Sequence, residues 1–183
     1  MSFDKGKLFI ITGADGSGKT KVIEDLEKIK SFYLVNYITT ASQSEKGVVP
    51  VSWDNFQSFA ENDGFVLSFK KRNAMTGVTH EEIKKAEASG QPIVWEIDIQ
   101  WIEDIRNEHP EATTILVNGL DAEGFYQHYE SKGSAVPTLT AIKAQRAEHL
   151  HEWGRGQVDY IVENKFGESA KAAEEVKKIM EGG

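Results

Sequence analysis

Residues 13–20 read Gly-Ala-Asp-Gly-Ser-Gly-Lys-Thr and match G-x-x-x-x-G-K-[ST] in full. Lys7 to Thr12 before them is a short apolar run of strand type. The segment after them places Val22, Ile23, Leu26 and Ile29 on one helical face. Strand, glycine loop and helix therefore follow in direct succession. Average residue frequencies put a chance match in a chain this long at about 1 in 100, before this setting is considered. Each fixed position has a physical task. Gly13, Gly16 and Gly18 let main-chain N–H groups curve around an anion, with Asp15 and Ser17 between them. Lys19 is expected to reach the outer phosphates, and the Thr20 hydroxyl to ligate Mg²⁺. The helix that follows points its positive end at the same place. The motif thus predicts a bound nucleoside triphosphate, ATP, with Mg²⁺.

The rest of the chain alternates strand and helix patterns. Tyr33 to Thr40, Phe65 to Phe69, Pro92 to Ile99, Ala112 to Val117 and Val158 to Val162 read as strands, and residues 41–50 as a loop ending in Pro50. Ser52 and the Thr79-His80-Glu81-Glu82 capping box open helices, and Gly64 and Gly90 close them. Ile102 and Ile105, Phe125 to Lys132, Leu139 to Trp153 and Ser169 to Met180 mark four more helices. This order predicts an α/β fold, with a parallel sheet covered by helices on both faces. Residues 41–80 and 125–153 break the alternation, so they are candidate inserts.

Composition narrows the function classes. Twenty-nine acidic residues against 21 Lys and Arg give a net charge of −8 in 183 residues. An acidic surface repels a nucleic-acid polymer, yet a local cluster of donors still holds a small anion. The chain has no cysteine, so it has neither disulfides nor thiolate metal sites. No apolar run approaches the roughly 20 residues of a membrane span, and residues 1–5 lack a signal-type apolar block. A cytoplasmic protein, monomeric or homodimeric, is expected.

Glu96 and Asp98 end an apolar strand and, two residues apart, share one face. Ligands of open parallel sheets gather at such strand ends. The two acids are candidates for organising Mg²⁺ and its waters, or for accepting hydrogen bonds from a base or sugar; capping the next helix is the structural alternative. His149 and His151 are i, i+2 on a helix and read as surface residues. The four tryptophans, Trp53, Trp95, Trp101 and Trp153, read as core or domain-contact residues.

Glu96-Ile97-Asp98-Ile99-Gln100, followed by Pro110-Glu111-Ala112 and an apolar strand, resembles the E-I-D-V-Q and F-P-D-A segments of the guanylate kinase family. Asp159-Tyr160-Ile161-Val162-Glu163-Asn164 is similar to that family's Y-D-Y-V-V-x-N strand, and Tyr37-Ile38-Thr39-Thr40 falls where S-x-T-T-R belongs. Phe65 and Gly77 fall where F-L-E and Y-Y-G-T-P would sit. The resemblance implies a P-loop core (1–33, 91–122, 154–183), an acceptor-binding insert (34–90) and a lid (123–153). It implies transfer of the ATP γ-phosphate to a small phosphorylated acceptor such as a nucleoside monophosphate. Tyr37, Thr39, Ser68, Arg72, Glu96 and Asp98 are then the acceptor-binding candidates, and Asp98 joins Thr20 as a metal candidate. Asn164 joins the ATP-binding set, and Lys132 and Arg146 stand beside Lys19 as catalytic cations.

The departures from the family cluster at the acceptor site. Its T-T-R-x-x-R arginines have no counterpart, since no arginine precedes Arg72. Its guanine-reading glutamate falls at Leu67 or Ser68, and the tyrosines before Gly77 are Met75 and Thr76. Two lost charge-assisted hydrogen bonds weaken binding by roughly 3–6 kcal/mol. Lys70, Lys71 and Arg72 are candidate replacements. Two alternatives remain: an enzyme resembling the ribose 1,5-bisphosphate phosphokinases, and a nucleotide-binding or interaction module without turnover. Asp15-Gly16-Ser17-Gly18-Lys19-Thr20 also resembles thymidylate kinases, but the Asp-Arg pair of that family is missing.

Overall fold

A computed structural model describes residues 7–42, 46–71, 73–119, 124, 127, 130 and 137–182. The chain divides into two compact units, one of residues 1–32 and 94–183, the other of residues 33–93.

In the first unit, β1 (Leu8–Gly13) leads through the glycine loop into α1 (Lys19–Glu27). β7 (Ile93–Asp98) passes through a short 3₁₀ turn into α4 (Ile102–Glu108). β8 (Thr113–Asn118), α5 (Pro137–Arg155), β9 (Tyr160–Glu163) and α6 (Ser169–Met180) complete it. The strands lie side by side in the order β7, β1, β8, β9. β1 pairs with β8 in parallel, as does β8 with β9. Every side chain of β1 is buried, as expected of a strand covered on both faces. Val22, Ile23 and Leu26 of α1 and Ala172, Ala173 and Val176 of α6 supply the apolar cover on those helices. Asp25 links the two helices, accepting a hydrogen bond from Ser169 Oγ at 2.6 Å and an ion pair from Lys28.

The second unit holds β2 (Tyr33–Leu34), β3 (Tyr37–Thr39), β4 (Val48–Pro50), α2 (Trp53–Glu61), β5 (Phe65–Lys71), β6 (Ala74–Thr79) and α3 (His80–Ala88). Four strands form a mixed sheet in the order β4-β3-β6-β5. Ser52 Oγ and Thr79 Oγ1 cap α2 and α3 by accepting from Asn55 N and Glu82 N, each at 3.2 Å. The other half of the expected capping box is spent elsewhere. Glu82 Oε1 instead accepts from Asn36 N and Asn36 Nδ2 at 2.8 Å and from Tyr33 OH at 3.1 Å.

Several expectations need correction. The strand expected over 33–40 is two strands, and the loop over 41–50 contains β4. β6 was not foreseen. Trp95 is fully buried, whereas Trp53 and Trp153 are exposed. Of the helix expected over 125–132, only Gln127 and Glu130 lie within the described residues, and both are helical.

Candidate phosphate-binding site

The loop between β1 and α1 is shaped by its glycines. Gly16 and Gly18 have φ of 85° and 83°, a region that L side chains rarely adopt. A Cβ on Gly18 would also strike the Asn164 carboxamide. Inside the turn, Ser17 N donates to Ala14 O at 3.0 Å, and Lys19 Nζ arches back to the same carbonyl at 3.4 Å. Asn164, at the end of β9, donates from Nδ2 to Ser17 O at 2.8 Å. Thus Asn164 reaches the predicted site as a brace beneath the loop. The Ser17 side chain is fully buried. The close passage of Gly13 and Gly119 over it explains this burial, so Ser17 can offer an anion only its main chain.

Above the loop a cleft of about 270 Å³ is lined by Asp15, Gly16, Gly18, Lys19, Thr20, Lys21 and Glu24. Thr20 Oγ1 donates to Glu96 Oε1 at 2.9 Å, bringing the last residue of the motif to β7. Of the two strand-end acids, therefore, Glu96 is the one at the Thr20 hydroxyl. Asp98 Oδ1 faces Gln100 N at 3.5 Å, where it caps the 3₁₀ turn. A hydroxyl and a carboxylate beside an ammonium and a positive helix end form a donor set suited to a polyphosphate with its Mg²⁺. Among the described residues no group of three or more His, Asp or Glu could hold a metal alone.

The remaining predicted residues fall in other places. Arg146 is exposed on α5. Lys132 and Arg72 lie outside the described residues, as does the side chain of Lys71. In the second unit, Thr39 is buried and its Oγ1 is committed to structure. It lies 3.1 Å from both Met75 O and Thr76 Oγ1 and accepts from Ala41 N at 3.2 Å. The register pairs Ile38, Gly77 and Ser68 in one row and Thr39, Thr76 and Phe69 in the next. Because faces alternate, Ser68 lies on the opposite face from Tyr37 and Thr39. Tyr37 makes an edge contact with Phe69, ring centroids 6.2 Å apart.

One residue of the loop's surroundings departs from the sequence reading. His151 is buried, and its Nε2 accepts a hydrogen bond from Ala14 N at 3.2 Å. Burial first, then the Lys19 ammonium and the Arg155 guanidinium, push its imidazole down to about 4, against a smaller opposing pull from Glu163. His149, by contrast, is exposed as expected. The legible signal was the stripe Ala144, Ala147, His151 at i, i+3, i+7, which continues one buried helix face.

Strand, phosphate loop, helix and parallel sheet together define a P-loop protein of the kinase class. The chain matches the guanylate kinase family model over residues 5–182. It is 24% identical to the guanylate kinase of Bdellovibrio bacteriovorus, over 97% of both chains. With the guanylate kinase of Neisseria gonorrhoeae it shares 27% identity, over 93% of this chain and 85% of that one. Its fold resembles the crystal structure of guanylate kinase from Anaplasma phagocytophilum, at a TM-score of 0.65 and 12% identity, over 97% of this chain and 86% of that one. The chain belongs to the guanylate kinase family, whose members phosphorylate GMP with ATP, and is a transferase of the kinase type.

Proposed function

We propose that this protein transfers the γ-phosphate of ATP to a small phosphorylated acceptor of the nucleoside monophosphate class, with guanine no longer read as in the wider family. The observation that carries the donor half is a cleft lined by Lys19 and Thr20, with Glu96 hydrogen-bonded to the Thr20 hydroxyl. The loop amides and Lys19 hold the outer phosphates, and Thr20 with Glu96 holds the Mg²⁺. When bound, that ion neutralises charge on the phosphate oxygens. The chain's own residues then act by placement: Asn164 and Ser17 fix the loop's curve, and the exposed Arg146 supplies a cation from α5. Lys132 is proposed to add a second cation.

The acceptor half rests on the second unit's sheet. The face that carries Tyr37 and Thr39 also carries Leu67, Phe69, Thr76 and Val78. The family's guanine-reading glutamate falls at Leu67 or Ser68, and Leu67, the one of the two on this face, is apolar. An unpaired guanine edge loses more on an apolar surface than a less polar base does. This favours an acceptor other than GMP. Tyr37 is retained as an acceptor contact, and Arg72 as a candidate cation for the acceptor's phosphate. Asp98 is proposed for the acceptor's hydroxyls, and Ser68 carries less weight because it lies on the other face.

A coupled assay of ADP release over all nucleoside monophosphates and ribose 1,5-bisphosphate tests the proposal. It predicts at least one nucleoside monophosphate with kcat/KM well above that of GMP. GMP as the best acceptor would overturn the altered specificity. Turnover with ribose 1,5-bisphosphate alone would favour the phosphokinase alternative. ATP binding without any acceptor-dependent turnover would favour a nucleotide-binding module.

A further inference from the structure

We infer that His151 is a positioning residue for the phosphate loop: its neutral imidazole, with Nε2 unprotonated, holds the Ala14 amide and so sets the curve on which the loop's other amides face the anion. This rests on the reading of residues 13–20 as the triphosphate site.

Three features converge on the pair. The Ala14 N–H to His151 Nε2 bond is 3.2 Å long and buried, and it joins residues 137 positions apart in sequence. Ala14 packs in one apolar cluster with Ala144 and Ala147, with Leu150 against it. The small side chains of α5 therefore bring its backbone close to the loop, one turn before the histidine. The Ala14 carbonyl is also in use, accepting from Ser17 N and from Lys19 Nζ. Both main-chain polar groups of Ala14 are thus tied, the amide to α5 and the carbonyl to Ser17 and the motif lysine. An acceptor is required at position 151, because a buried amide without one loses its partner outright. Only the tautomer with its proton on Nδ1 provides that acceptor. The surrounding charges agree with that state. Burial opposes a cationic ring most, Lys19 and Arg155 add to that opposition, and Glu163 pulls the other way.

The test uses two substitutions and one spectroscopic measurement on the full chain. His151→Leu keeps bulk and removes the acceptor, while His151→Gln offers a side-chain oxygen at a similar reach. Direct titration with ATP and Mg²⁺ is expected to show about tenfold weaker binding for His151→Leu and recovery to within about twofold for His151→Gln. The KM for the acceptor is expected to stay unchanged in both. Equal losses in the two variants, or no loss in His151→Leu despite a lowered Tm, would make the histidine merely structural and overturn the inference. Nitrogen NMR on the wild type decides even where the Leu variant does not fold. A coupling from the Ala14 amide to His151 Nε2 is expected, persisting when ATP is bound. Its absence, or its loss on ATP binding, contradicts the inference. A wild type that binds no ATP would sink the phosphate-loop reading itself, an outcome distinct from equal losses in two variants of a protein that does bind.

Discussion

Thr20 Oγ1 and Glu96 Oε1 are joined by a 2.9 Å hydrogen bond although 76 positions separate them in sequence. This bond fixes the orientation of the hydroxyl that ends the phosphate motif, and it places a negative charge beside it. If the pair serves Mg²⁺, Glu96→Gln keeps a hydrogen-bond partner for Thr20 but removes that charge. Its Mg²⁺ requirement, measured as the concentration for half-maximal activity, is expected to rise about 10- to 100-fold with little change in Tm. Asp98→Asn is expected to change the Mg²⁺ requirement much less and to act on the acceptor KM instead.

Asp25 gives a stability prediction with a defined sign. The Lys28 ammonium and then the Ser169 hydroxyl hold its carboxyl at about 2, below the usual 3.8. A depressed carboxylate stabilises the fold above its unfolded value and loses that stabilisation as pH falls through its folded value. Wild-type Tm should therefore fall between pH 4 and pH 2 by more than that of Asp25→Asn. At pH 7 the variant is expected to be less stable by about 1–2 kcal/mol, discounted because Lys28 is well exposed.

Asn164→Ala removes the donor that meets Ser17 O and leaves that carbonyl unpaired under the loop. A loss of about 1–3 kcal/mol in unfolding free energy is expected, with weaker ATP binding. Gly18→Ala should not be rescued by that substitution. Its Cβ would no longer meet the carboxamide, but its φ of 83° would remain strained for alanine. Urea unfolding of the single and double variants measures both effects.

Leu67→Glu restores a carboxylate to the face that carries Tyr37 and Thr39. If that face reads the acceptor's base, kcat/KM for GMP is expected to rise by about tenfold or more relative to the other nucleoside monophosphates. Ser68→Glu, on the opposite face, is the control and should leave the ratio unchanged. Equal behaviour of the two variants would detach this sheet face from acceptor recognition.

Much of the first unit was legible because its signals are local. The β1 run, the fixed glycines of the loop and the 3.6-residue periodicity of α1 each carry their own physical reason. The second unit was less legible. β4 is three residues long, and β6, Ala-Met-Thr-Gly-Val-Thr, has a glycine inside and no clean alternation. Both exist because neighbouring strands pair with them, and pairing is not a local property. The site shows the same division. Lys19 and Thr20 could be named from the motif, but the choice of Glu96 over Asp98 at Thr20 depends on how β7 lies beside β1. The fates of Ser17 and Thr39 were hidden for the same reason, since a hydroxyl's burial depends on what passes over it. His151 was misread by comparing it only with His149, when its partners on the buried face are Ala144 and Ala147.

The central claim is that the loop of residues 13–20 grips a triphosphate through its amides, Lys19 and the metal-bound Thr20 hydroxyl. Calorimetric titration of Lys19→Ala with ATP and Mg²⁺, on a variant whose Tm matches the wild type, tests it most directly. The account predicts that ATP affinity falls by about a hundredfold, as for a lost charge-assisted contact of up to about 3 kcal/mol. Unchanged affinity would contradict it.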